Sequence, residues 1–89
     1  MIETVEEASA LALEYLRQYV EPDVGEPIAL TTVRSFPTCW VAGYNTSAYI
    51  ETGAISHALA GGPLIINRST GAVRLGRSDL HAEDQLDPE

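Results

Sequence analysis

The stretch PLIINRSTGAVRL, residues 63–75, decides how this chain folds. Its apolar run at 63–66 is hydrophobic on both faces, as is typical of a central strand. The next residues, NRSTG at 67–71, predict a tight turn in which Gly71 takes a positive φ. Residues 72–75 then return as a second strand, so the stretch predicts a β-hairpin.

Two further extended segments precede this hairpin. Residues 27–35 (PIALTTVRS) are rich in β-branched side chains, and residues 39–44 (CWVAGY) form a second strand candidate. Residues 35–38 (SFPT) predict the loop of another hairpin, because Pro37 is excluded from a paired position.

An amphipathic helix is predicted before the strands. Thr4 and Glu7 have the spacing of a capping box, in which Glu7 reaches back to the Thr4 amide. Pro22 and Gly25 predict that the helix ends near Val20. Apolar residues recur at helical spacing and predict one buried stripe, which Leu11 and Tyr15 widen. The stripe consists of Val5, Ala8, Ala12, Leu16 and Tyr19.

Residues 45–62 and 78–89 carry weaker patterns. Residues 49–52 are expected to extend the second strand or to form a short strand of their own, and residues 56–60 fit one helical turn. Residues 78–89 are acidic and are expected to be a mobile tail. The chain is therefore divided into one domain, residues 1–77, and this tail.

This order of elements predicts an α+β fold. The helix packs on one face of a small antiparallel sheet of about four strands, connected as a meander. The other face of the sheet is then open. Because Ile65 and Ile66 point to opposite faces, some apolar side chain needs another cover. The pattern leaves four candidates for it: the 45–62 segment, the tail, a second copy of the chain in a homodimer, or a partner.

Charge is divided unevenly along the 89 residues, whose net charge is −8. Residues 1–26 hold seven acids and one Arg, residues 27–77 one acid and four Arg, and residues 78–89 five acids. This balance argues against a nucleic-acid ligand, because phosphate binding needs clustered basic side chains. It permits a basic protein as partner.

The sequence also bounds the compartment. One cysteine, Cys39, excludes an internal disulfide. The acidic first ten residues lack the positive region of a signal peptide, and no apolar run approaches the roughly 20 residues of a membrane helix. We therefore expect a cytoplasmic protein that does not contact a membrane.

The residues that carry chemistry do not form a recognisable set. Cys39 and His57 are the only nucleophile and base candidates, and no third group is evident to orient the histidine. One cysteine and two distant histidines do not supply a metal site. The segment Gly61-Gly62-Pro63 lacks the Lys-Ser/Thr of a phosphate loop. We therefore expect no catalytic, cofactor-binding or metal-ligating residues, and no enzyme.

Aromatic side chains offer two interpretations, core packing or a protein-binding patch. Trp, Tyr and Arg are enriched at binding hot spots. On the second interpretation the anchors are Trp40, Tyr44 and Tyr49, and the charged contacts are Arg68 and Arg74.

Over roughly residues 5–76 the chain resembles the bacterial immunity protein 35 family, also called YrhB-like, which is found near polymorphic toxins. Asn67 stands where the family often has Asp and keeps a side chain that can cap the turn. Gly61-Gly62-Pro63 stands where the family often has Asn and a further residue between Gly and Pro. The matching segments are the helix end Tyr15-Leu16, the strand from Trp40-Val41 to Tyr44, and residues 49–53, 59–63, 64–66 and 69–73.

The resemblance implies a cytoplasmic inhibitor that neutralises a cognate toxin by direct contact, and it implies no catalytic residue. A second function stays open, that of a small stress or chaperone-like accessory protein without a dedicated toxin. A neighbouring toxin gene would favour the first function, and protection of unrelated clients from aggregation would favour the second.

Overall fold

The computed structural model describes residues 1–59, 62–76 and 85. A helix α1 passes through one π-helical segment into a short helix α2, four strands follow, and helix α3 and a 3-10 turn lie between the second and third strands. The bounds are α1 Val5–Tyr15, the π segment Leu16–Val20, α2 Glu21–Val24, β1 Ile28–Ser35, β2 Cys39–Thr46, α3 Ser47–Thr52, the 3-10 turn Ile55–His57, β3 Leu64–Asn67 and β4 Val73–Leu75.

The four strands form one antiparallel sheet in the order β1-β2-β3-β4, so the predicted α+β meander is confirmed. Both predicted hairpins are present. In the first, the Phe36 amide donates to the Cys39 carbonyl across the loop (2.8 Å). In the second, Gly71 has φ +77° and the Asn67 side chain accepts from the amides of Ser69 (2.9 Å) and Thr70 (3.0 Å). The turn is thus closed by the residues that predicted it.

The helix begins at its predicted cap but with a different second contact. The Thr4 hydroxyl accepts a hydrogen bond from the Glu7 amide (3.2 Å), which satisfies one of the free donors of the first turn. The Glu7 carboxylate accepts from the same hydroxyl (3.1 Å), where the sequence predicted a bond to the Thr4 amide. The side chain of Glu7 therefore supports the cap without completing the predicted box.

The predicted helix end near Val20 is wrong, because helical structure continues to Val24. The Glu21 amide donates to the Leu16 carbonyl, five residues back, in a π-turn. Pro22 then lies in the first turn of α2, where its missing N–H leaves no hydrogen bond broken. Gly25, at φ +76°, ends the helix in the left-handed conformation.

The buried stripe of the helix is shorter than predicted. Ala8, Ala12 and Leu16 are fully buried, whereas Val5 is 44% and Tyr19 57% exposed. Val5 is the first helical residue, one turn ahead of the first buried one. Tyr19 lies in the π segment, where a wider turn rotates each residue by less than the 100° of an α-helix. The stripe therefore moves away from Tyr19.

One face of the sheet meets this stripe. Partners in register share a face, so Trp40, Ile66 and Val73 lie together, as do Ala42 and Leu64. With Ile28 and the buried helix residues they form the hydrophobic core. Tyr44, Leu30 and Val33 pack around its margin.

The second face of the sheet is covered at its centre, which corrects the prediction of an open face. Cys39 and Ile65 are fully buried there and Val41 is 3% exposed. Gln85 lies against this region, because a Cβ on Gly76 would meet the Gln85 carboxamide oxygen at 2.9 Å and Ile65 Cδ1 at 3.1 Å. Apart from Gln85, the predicted mobile tail lies outside the described residues.

Residues 47–52 form helix α3, so the predicted strand at 49–52 is wrong. The Thr46 hydroxyl caps this helix by accepting from the Tyr49 amide (3.1 Å), and Gly53 ends it at φ +71°. The same hydroxyl donates to the His57 carbonyl (2.6 Å), which ties α3 to the 3-10 turn. The predicted helical turn at 56–60 is this 3-10 turn, shifted toward the N-terminus, and residue 60 lies outside the described residues.

Candidate protein-binding surfaces

Trp40 lies in the core. Its side chain is 7% exposed, and its indole N–H donates to the Ile2 carbonyl (2.9 Å). The guanidinium carbon of Arg68 lies 4.5 Å from the centre of its ring, a cation–π contact. Of the two interpretations left open by the sequence, core packing describes the environment of this tryptophan.

Arg68 holds three segments together. Its guanidinium donates to the Phe36 carbonyl (2.8 and 3.2 Å), to Ser35 Oγ (2.5 Å) and to the Ile2 carbonyl (3.4 Å). The Arg68 carbonyl also accepts from the Ile2 amide (2.7 Å). This side chain therefore connects the N-terminal segment to the β1–β2 loop while it stacks on the ring of Trp40.

Tyr44 lies beside the helix, half-buried at the margin of the core. Burial raises the pKa of Tyr44 above its ordinary value of 10.0, and the neighbouring Tyr15 adds to the rise. Tyr15 also packs against the core, and its ring lies against that of Tyr19, with ring centroids 4.9 Å apart.

Tyr49 and Arg74 lie in different places. Tyr49 is half-buried on α3, next in sequence to the exposed Ile50 (46%), and Ile55 (86%) is exposed in the 3-10 turn that follows. Arg74 is exposed on β4 and donates to the Gln85 carbonyl. Because it pairs with Ile65, Arg74 faces the side of the sheet opposite to Trp40.

The structure thus brings together only part of the predicted contact set. Trp40 and Arg68 stack on each other, Tyr44 shares their face of the sheet, and Arg74 lies on the other face. The contact of these residues with a partner stays a prediction.

Sequence reasoning missed a groove beside the helix. It has a volume of about 360 Å³ and lies between the outer surface of the helix and strand β4. The sequence assigned Tyr15 and Tyr19 to the core, and the π-turn that turns Tyr19 outward has no signature in the local pattern. Its walls are formed by Leu11, Glu14, Tyr15, Gln18, Tyr19 and Val73.

Cys39 and His57 do not form a pair. His57 is hydrogen-bonded through its carbonyl to Thr46, at the end of β2 that is opposite to Cys39. At about 3.3 Å per residue, the two ends of this strand are roughly 20 Å apart. The His57 ring instead lies 2.8 Å from the Glu26 carboxylate, and Cys39 is buried.

In the described part of the chain, residues 1–59, 62–76 and 85, no three His, Cys, Asp or Glu side chains gather as metal ligands would. None of its helices has the length and apolar character that crossing a membrane requires.

The sequence model of the immunity protein 35 family matches residues 6–85, which includes all but the first residue of α1, all four strands and Gln85. Neither the curated proteins nor the solved structures contain a significant match. The family match extends over most of the 89 residues. The chain therefore belongs to the immunity protein 35 family.

Proposed function

We propose that this chain binds a cognate protein toxin in the bacterial cytoplasm and neutralises it by direct contact, without catalysis. The family match over residues 6–85 carries this proposal. The match favours an immunity protein over the chaperone-like alternative that the sequence left open.

The surface of the molecule supports a protein partner. Monomeric proteins scatter single apolar residues over their surfaces, whereas neighbouring exposed apolar and aromatic residues mark binding sites. The groove that Tyr15 and Tyr19 line is such a group, and Ile50 and Ile55 add exposed apolar surface on α3 and in the turn after it.

Some of the predicted contact residues are engaged in contacts within the fold, and others reach solvent. Trp40 and Arg68 stabilise the fold, so we propose that they act on a partner mainly by holding the loops around them. Tyr49 and Arg74 reach solvent, and we propose them as direct contacts. Tyr44 contributes through Tyr15, beside which it lies.

The test is protection of a cell. A toxin domain encoded by a gene next to that of this chain is expressed in a sensitive host, with and without the chain. We expect growth only with the chain, and a complex of the two purified proteins in titration calorimetry. Failure of the chain to restore growth, together with no measurable complex, would overturn the proposal. Sedimentation of the free chain tests the predicted homodimer in the same preparation.

A further inference from the structure

The groove beside the helix has the composition of a binding pocket. Leu11 and Val73 supply apolar surface, while the rings of Tyr15 and Tyr19 stand 4.9 Å apart at an interplanar angle of 47°. Tyr19 is 57% exposed, which leaves much of its side chain open to a partner. Tyrosine offers large contact area for little loss of side-chain freedom, which suits it to an anchor site.

A π-turn places the second ring. The Glu21 amide bonds to the Leu16 carbonyl, so the segment Leu16–Val20 departs from α-helical geometry directly beneath the groove. Such single π-turns are uncommon and occur often at functional sites. Here the turn rotates Tyr19 out of the core stripe and leaves it against Tyr15.

The charge of the groove selects the partner's chemistry. Glu14 is the one charged side chain among its walls. Arg17, the single basic residue among the first 26, is not among these walls; it lines a neighbouring groove, which shares Glu14 and Gln18 with this one. A carboxylate beside two aromatic rings is the arrangement that receives a guanidinium or ammonium group, through an ion pair and cation–π contacts.

We propose that this groove is the anchor site for the toxin and receives an arginine or lysine side chain from a basic segment of it. This assignment rests on the proposed function and names the surface that performs it. The acids of residues 1–26 attract the basic segment, and the groove holds its side chain once the two proteins have met. A phosphate-bearing ligand is disfavoured at the same place by Glu14.

The experiment measures association and dissociation rates of the complex with the neighbouring toxin domain. Tyr19→Ala removes the outer ring, and Tyr19→Phe keeps it. Loss of a hot-spot aromatic residue raises Kd by about tenfold or more, mostly through faster dissociation. We expect that rise for Tyr19→Ala and wild-type dissociation for Tyr19→Phe.

Glu14→Gln and Asp23→Asn form a pair matched in charge. Asp23 is also exposed, but it lies on α2 and is not among the groove walls. Both variants remove one negative charge, so both slow association slightly. Only Glu14→Gln is expected to speed dissociation, because only Glu14 meets the bound cation.

The outcomes separate the two proposals. If the wild-type chain does not bind the toxin domain, the proposed function is wrong and the anchor site falls with it. If it binds, and Tyr19→Ala and Glu14→Gln dissociate at the wild-type rate, the anchor site alone is wrong. Thermal unfolding of each variant checks that the fold is intact. The side chains of Tyr19 and Glu14 are exposed, so we expect their replacement to leave the melting temperature unchanged.

Discussion

At the scale of single residues, the contacts of Arg68 in the structure differ from the role that the sequence predicted for it. The sequence proposed it as a partner contact, whereas in the structure it donates to Phe36, Ser35 and Ile2 and covers the ring of Trp40. A hydrogen bond made by a charged group contributes about 1.5–3 kcal/mol. Its bonds are therefore large beside the stability of a small domain.

We predict that Arg68→Met destabilises the fold by about 1.5–3 kcal/mol, because two backbone carbonyls lose a charged donor. For a chain of this size, each kcal/mol lowers the melting temperature by about 4–8 °C. Arg17→Met is the control, since Arg17 is exposed on the helix. Equal melting temperatures for the two variants would contradict the structural role.

Tyr44 predicts a specific alkaline sensitivity. Burial, and then Tyr15, raise its pKa in the folded chain above the 10.0 of an exposed phenol. Because the folded chain holds the proton of this phenol more tightly than the unfolded chain does, the contribution to the free energy of unfolding is fully present below the unfolded pKa. It is lost as pH rises through the folded pKa. Tyr44→Phe should therefore lose less stability between neutral pH and pH above about 10 than wild type does. Denaturant unfolding at neutral and at alkaline pH measures both losses, and equal losses for Tyr44→Phe and wild type would contradict this explanation.

The sequence predicted contacts between residues that are close along the chain better than it predicted which side chains are buried. Asn67 and Gly71 define their turn within five residues, so the turn was predictable. The burial of Trp40 depends on Ile2 and Arg68, which lie 38 and 28 positions away along the chain. No local pattern encodes such contacts, so the sequence left the tryptophan between core and surface.

At the scale of elements, the start of the helix and the four strands were predictable, whereas its end and α3 were not. Pro22 predicts that the helix ends before it. In the structure Pro22 lies in the first turn of α2, where a proline is compatible with a helix that resumes after a π-turn. Residues 49–52 contain Tyr, Ile and Thr, which favour strand. Thr46 and Gly53 are the start and stop signals of the helix that forms instead.

Thr46 holds the α3 segment with one fully buried hydroxyl. It accepts from the Tyr49 amide and donates to the His57 carbonyl. We predict that Thr46→Val costs about 1–3 kcal/mol, because both backbone groups lose their partner. Hydrogen exchange should accelerate in residues 47–59 first. Thr46→Ser retains the hydroxyl, and exchange in Thr46→Ser as fast as in Thr46→Val would contradict this explanation.

At the scale of the whole molecule, charge is the property that a partner meets first. The net charge of −8 is concentrated at the two ends of the sequence, and the −6 of residues 1–26 lies on and around the helix that carries the groove. Charge of this kind raises association rates more than it slows dissociation.

We predict that salt lowers the association rate and changes the dissociation rate little. Between about 0.01 M and about 1 M salt the Debye length falls from about 30 Å to about 3 Å, which screens the helix from a basic toxin. The association rate with the toxin domain should fall by about tenfold or more, while dissociation changes little. Stopped-flow measurements check both rates, and a salt-independent association rate would exclude electrostatic attraction as the first step.

The meander also determines how the fold can form during synthesis. Each strand pairs with the next one along the chain, so the sheet can grow hairpin by hairpin as the chain is synthesised. The helix precedes the strands along the chain, yet its core partners Leu64 and Ile66 lie in β3, so the core closes only after that strand has been made. Synthesis of 89 residues takes roughly 5–20 s, whereas domains of mixed α and β structure fold within about milliseconds to seconds. Translation, and not folding, is therefore the slower step in producing this fold.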